Sequence, residues 1–112
     1  MPGVGPGYND ELIRPWNGQN TRPRAGGTYY DEMWTNAMPF DVVTITSYNE
    51  WGEGTQIEEA RPHTAAGTGV VYADYGPNST DAYMQLTRRL VDETQAKCAA
   101  AKPRPPVLKP EL

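Results

Sequence analysis

The rhythm of apolar positions along the chain changes several times. Over residues 28–38, TYYDEMWTNAM, the side chains of Tyr30, Met33, Trp34 and Ala37 recur every three or four residues. That spacing predicts one face of a short helix, and Pro39 ends it because proline cannot continue a helical ladder. From residue 40 the pattern tightens: FDVVTITSY is β-branched and apolar at nearly every position. It predicts a strand over 40–48 buried on both faces, as in a parallel sheet. A second helical stripe starts near Asp81 and runs through Tyr83, Leu86, Thr87, Leu90, Val91 and Thr94, with Ser79 or Thr80 placed to cap it.

Elsewhere the chain is punctuated. Residues 1–28 contain PGVGPG and RPWNGQNTRPRAGG, where Gly and Pro recur too often for a helix or a central strand, so a long loop is expected. Residues 50–69 also read as loop, VVYADY from Val70 as a short extended segment, and the proline-rich stretch 102–112 as an unstructured tail. The one strong strand finds no partner in this pattern. An unpaired strand leaves its backbone donors and acceptors bare, so more sheet is expected outside the chain.

Composition points the same way. Leu, Ile, Val and Phe together number 16 of 112 residues, about 14% and below the roughly 20% at which a chain struggles to build its own core. With 3 Trp and 7 Tyr and a net charge of only -4, however, it is not composed like a disordered tail. A part of a larger folded domain fits both facts, and such a part is not expected to fold stably alone. The acidic balance gives no footprint for nucleic acid. No apolar run approaches the roughly 20 residues of a membrane span, and the N-terminus lacks the basic and apolar regions of a signal peptide. Cys98 is a single cysteine without a disulfide partner. His63 beside Glu58 and Glu59 lacks metal-ligand spacing; no metal or cofactor is expected. Asn78-Ser79-Thr80 satisfies the glycosylation pattern.

The chemistry concentrates in NEWGEG, at the carboxyl end of the expected strand, where α/β barrels carry their catalytic groups. A continuing strand would send Glu50 and Glu53 to opposite faces, so the backbone must turn between them. Gly52 and Gly54 permit this, because glycine enters positive φ without a Cβ penalty. A turn would bring the two Cβ atoms to about 5 to 6 Å, close to the roughly 5 to 5.5 Å between the carboxyl groups of a retaining glycosidase. Such a pair beside an indole divides its roles, one carboxyl keeping its proton as an acid and the other charged as a base. Trp51 and Tyr48 offer flat faces to a sugar ring. The plainer alternative is that both glutamates are solvated loop residues and Trp51 is core.

PGYND, IRPWNGQNTRPR, GTYY, VVTITSYNEWGEGTQIEEA and VYADYGPNSTDAYMQLTRR together resemble the C-terminal third of glycoside hydrolase family 99, the endo-α-mannosidases and endo-α-mannanases. The resemblance implies an α/β fold, the C-terminal part of an incomplete (β/α)8 TIM barrel over residues 1–101. It would hold the end of strand seven, with Met1 inside that strand, and strand eight with its loop and final helix. It implies that Glu50 and Glu53 are the catalytic pair, acting on internal α-1,2-mannosidic linkages of N-glycans or mannans with retention of configuration. Glu53 would be the acid and later the base. Glu50 would deprotonate the sugar's own 2-hydroxyl, which attacks the anomeric carbon to give a 1,2-anhydro sugar. Asn49 and Trp51 would position the sugars, with Tyr8, Arg14, Trp16, Asn20 and Arg22 in the loop after strand seven. The partner would be a mannose-containing oligosaccharide, with no membrane contact within this chain. Eukaryotic members would place it in the Golgi, and bacterial ones outside the cell or in the periplasm. Many members carry histidine where this chain has Gly52. The second reading is a non-catalytic remnant with at most weak mannoside binding.

Overall fold

The computed structural model describes residues 1–62, 67 and 71–101. Four elements organise them: strand β1 (Gly3–Val4), helix α1 (Thr28–Ala37), strand β2 (Thr44–Ile45) and helix α2 (Ala82–Ala101). Short 3-10 turns at Pro15–Asn20 and Ala25–Gly27 interrupt the first long connection. The expected loop over 1–28 therefore contains a strand and two helical turns.

β1 and β2 pair in parallel, Gly3 against Thr44 and Val4 against Ile45. The amide of Thr44 donates to the Pro2 carbonyl and that of Thr46 to Val4. Beyond the paired residues the backbones come so close that a Cβ on Gly5 would sit 2.7 Å from the Thr46 carbonyl oxygen, so only glycine fits there. The expected strand thus has a partner within the chain after all. It is also much shorter than 40–48, and it is not buried on both faces: Phe40 is 51% and Val42 56% exposed, and Thr44 and Ile45 are exposed too. With one neighbouring strand and helices on one side only, a run composed for the middle of a sheet presents its other flank to water.

The core lies between the helices and is built of rings more than aliphatic chains. Tyr30, Trp34 and Ala37 of α1 meet Tyr83 and Leu90 of α2, with Val4, Ile57, Ala60 and Tyr75 packed around them. Tyr30 stands edge-on to Trp34 at 6.2 Å between centroids, and Tyr75 tilts against Tyr83 at 4.6 Å. The buried rings of Tyr30, Trp34, Tyr75 and Tyr83 offset the shortage of Leu, Ile and Val, since each removes a large apolar area from water. The stripe read on α2 is the buried one: Tyr83, Thr87 and Leu90 are buried, and Leu86, Val91 and Thr94 partly so. The Ser79 and Thr80 hydroxyls, expected to cap α2, instead donate to Asp81 and Glu59 carboxylates; the Ala82 amide is met by the Ser79 carbonyl. Between the helices the Tyr30 hydroxyl donates to Thr87, whose own hydroxyl donates to the Tyr83 carbonyl, and on the surface Arg89 reaches Asp31 at 3.0 Å. His63, the Cys98 side chain and residues 102–112 lie outside the described residues.

Candidate active site

Both strands run in the same direction, so the segments that leave their carboxyl ends emerge on the same side. The first, after β1, carries Tyr8 to Arg22; the second, after β2, carries Asn49 to Glu58. Two backbone bonds stitch the first segment together, Tyr8 to Arg22 in each direction. A third joins it to the second, the Asn9 amide donating to the Glu53 carbonyl at 2.8 Å.

The second segment folds back on itself. The Ser47 amide donates to the Thr55 carbonyl, Thr55 to Glu50, Gly54 to Trp51, and Glu58 to Tyr48; the hydroxyls of Ser47 and Thr55 bond at 2.8 Å. The backbone thus reverses over 50–55, as the spacing of the two glutamates required. Gly54 alone of the two glycines uses a left-handed conformation, φ 62°, and a Cβ there would also press on the Asn9 carbonyl oxygen at 3.1 Å. Gly52 matters through space: a Cβ would lie 3.2 Å from Glu50 Oε1 and 3.6 Å from Ile13 Cδ1. The Thr46–Ser47 peptide is cis.

Glu50 is exposed, its amide donating to the Ser47 hydroxyl oxygen at 2.9 Å and its carboxylate accepting from the Gly52 amide at 3.2 Å. The Glu53 side chain is 32% exposed, and its Oε1 lies 3.8 Å from Arg14 Nη1. That same nitrogen donates to Asp10 Oδ2 at 2.9 Å, while Asn17 donates to Asp10 Oδ1 at 2.9 Å. Asp10 is completely buried. Burial works to raise its pKa, but hydrogen bonds from Arg14, Asn17 and Tyr8 outweigh it and hold the carboxyl below its ordinary range. The same bonds push the Tyr8 hydroxyl up and the Arg14 guanidinium up, in each case chiefly through Asp10.

The residues singled out from sequence fall into three groups. Tyr8, Arg14 and Glu53 are brought together through Asp10, which the sequence reading passed over. Asn20 joins the edge of this network by donating to Asn17. Trp16 is 78% exposed on its 3-10 turn, and Arg22 is exposed, bonded to the Thr21 carbonyl. Asn49 is exposed beside Glu50. Trp51 is partly buried: its indole N–H donates to Glu58 at 2.9 Å and its ring meets Tyr72 edge-on. With Tyr48, Glu58, Glu59, Arg61 and Tyr72 it lines a cleft of about 850 Å3, next to the turn; the two glutamates are not among its lining residues. The only sequence signal for Asp10 was its place four residues before Arg14 within PGYND.

Arg24 anchors the turn from behind. Its Nη2 donates to the carbonyls of Gly54 and Gln56 at 2.9 and 2.8 Å. Its plane lies over the rings of Tyr83 and Tyr75, 4.6 and 5.0 Å from their centroids. The two remaining nitrogens, buried without a hydrogen-bond acceptor, face π density in a cation–π arrangement.

The arrangement offers two accessible carboxylates on one reversed loop, one of them 3.8 Å from a guanidinium, with Tyr48, Trp51 and Tyr72 lining the adjacent cleft. Residues 1–96 match the family model described as glycosyl hydrolase family 99. The chain is 50% identical over 91 residues to a glycoprotein endo-alpha-1,2-mannosidase of Mus musculus, covering 80% of this chain and 19% of that protein. It is 47% identical to a glycoprotein endo-alpha-1,2-mannosidase-like protein of Danio rerio, again over 80% of this chain and 20% of the relative. Its fold resembles a solved endo-alpha-mannosidase from Bacteroides thetaiotaomicron, with a TM-score of 0.82 and 45% identity over 89% of this chain and 31% of that one. The chain therefore spans about a fifth of the length of the curated relatives it matches.

Proposed function

The chain belongs to glycosyl hydrolase family 99, and we propose that within the complete enzyme it supplies the working carboxylates, Glu50 and Glu53, of a retaining endo-α-1,2-mannosidase. The observation that carries this reading is the reversed loop that brings both glutamates to the same end of the parallel β1–β2 pair. The segments leaving both strands meet there, as at the catalytic face of a (β/α)8 barrel. On this reading β1 and β2 are the last two barrel strands, and the substrate is a mannose-containing N-glycan or mannan, met in the Golgi by a eukaryotic enzyme.

The chemistry assigns each carboxylate a proton. Glu50 takes the proton of the mannose 2-hydroxyl, and that oxygen attacks the anomeric carbon. Glu53 donates a proton to the departing glycosidic oxygen as its bond to the anomeric carbon breaks, leaving a 1,2-anhydro sugar. Glu53 then takes a proton from water, which attacks the same carbon; the bond from the 2-oxygen opens and Glu50 returns its proton. Two inversions give net retention. Arg14 stands beside Glu53, and Tyr8, Asn49, Trp51 and the exposed Trp16 supply hydrogen bonds and ring faces to neighbouring sugars, with Asn20 and Arg22 at the margin.

In the complete enzyme, Glu53→Gln and Glu50→Gln each lower kcat by at least about a hundredfold, the usual scale for a positioned acid or base. For Glu53→Gln the loss shrinks on a glycosyl fluoride, whose leaving group needs no protonation. Full activity of either variant on an α-1,2-mannoside would refute the assignment.

A further inference from the structure

We propose that Asp10 is a positioning residue that sets Arg14 against Glu53. The inference rests on the proposed role of Glu53 and adds a residue to it. Four observations carry it. Asp10 is completely buried although the residues that follow it, Glu11 to Trp16, are exposed. Both of its carboxylate oxygens are engaged, Oδ2 by Arg14 and Oδ1 by Asn17, each at 2.9 Å. The nitrogen that Asp10 holds is the one nearest Glu53. The neighbouring Asn9 amide is bonded to the Glu53 backbone at 2.8 Å, so the buried carboxylate and the acid share one frame.

Geometry explains why such a group would be needed. A long arginine side chain, 45% exposed here, wanders unless something fixes its plane, and its rotamer freedom is costly to restrain. A buried anion with two oriented oxygens provides that restraint. Asp10 fixes Nη1 of the guanidinium at 2.9 Å, and that same nitrogen stands 3.8 Å from Glu53 Oε1. Asparagine would lose the charge that holds Arg14 and keep one acceptor oxygen in place of two, turning its NH2 toward either the Arg14 guanidinium or the Asn17 amide that donates here. Asp10 itself touches no sugar, so its effect passes through Arg14. The other charged groups around it are Glu53 on the turn and Glu11, which accepts from Thr21 instead.

A double-mutant cycle in the complete enzyme separates positioning from plain support of the fold. Asp10→Asn and Arg14→Ala are each expected to lower kcat/KM by about tenfold or more, within the range that a misplacement of about 1 Å produces. The double variant is expected to fall no further than about threefold below the weaker single one. The loss from Asp10→Asn should also contract on a glycosyl fluoride, because the disturbed group is the one that serves the leaving oxygen. Losses that multiply in the double variant, or that are the same on both substrates, overturn the proposal. If Asp10→Asn does not fold, Asn17→Ala frees one carboxylate oxygen and is read in the same cycle, with the same coupling expected and multiplied losses again decisive. Glu53→Gln is assayed alongside. If it keeps full activity, the carboxylate assignment fails and this inference falls with it; if it is inactive while the cycle is additive, only Asp10 loses its role.

Discussion

At the residue scale, the turn is held by groups whose behaviour depends on what buries them. Tyr75, 5% exposed, donates to backbone carbonyls at Gln56 and Glu58. Burial above all pushes its hydroxyl up to about 12, against the pull of the Arg24 guanidinium. Unfolded, the same hydroxyl ionises near about 10. Between those two values the unfolded chain releases a proton that the folded one retains, so stability is intact below about pH 10 and declines as pH rises toward 12. In the complete enzyme, the melting temperature is expected to fall over that window, and Tyr75→Phe to make the fall shallower; an unchanged slope would contradict the burial of this hydroxyl. Little of this was legible beforehand. Arg24 sits in a Pro- and Gly-rich segment where arginines usually reach water, and its two carbonyls and two rings lie 30 to 59 residues away. Asp10 was hidden for the same reason: burial of a loop carboxylate depends on tertiary packing, which residue spacing does not encode.

At the scale of elements, periodicity was informative where one helix face is buried. The α1 and α2 stripes needed no tertiary knowledge, because a face repeating every 3.6 residues has one way to be covered. The strand misled because a run of β-branched residues reports the sheet for which it is composed, and among the described residues one neighbour pairs with it. The join between the helices can be tested directly. Tyr30 donates to Thr87, itself committed to the Tyr83 carbonyl, within a core where Tyr30 is fully buried and Thr87 8% exposed. In the complete enzyme Thr87→Val strands the Tyr30 hydroxyl and is expected to cost about 1 to 3 kcal/mol, whereas Tyr30→Phe combined with Thr87→Val recovers part of that loss. Chemical denaturation of the three variants checks the order; an additive loss in the double variant would mean the two hydroxyls do not depend on each other.

At the scale of the whole molecule, the aromatic core and the open sheet pull in opposite directions. Rings from α1, α2 and Tyr75 make a compact centre, yet among the described residues two residue pairs of sheet give little cooperative backbone structure, and a two-stranded unit is marginal in water. Purified residues 1–112 are expected to show no cooperative thermal transition by circular dichroism and to release no sugar from an α-1,2-mannan. A sharp melt would show that the ring-built core suffices alone, and a released product would place the whole active centre within these 112 residues.

The uncovered flank around β2 also bears on handling. Phe40, Val42 and Ile45 are exposed in and around β2, which among the described residues is paired along one edge, and an open margin of that kind is a template for another polypeptide. Overproduced by itself, the chain should go into inclusion bodies, and a charged residue in place of Val42 should raise the recovered soluble yield while leaving the 50–55 turn untouched.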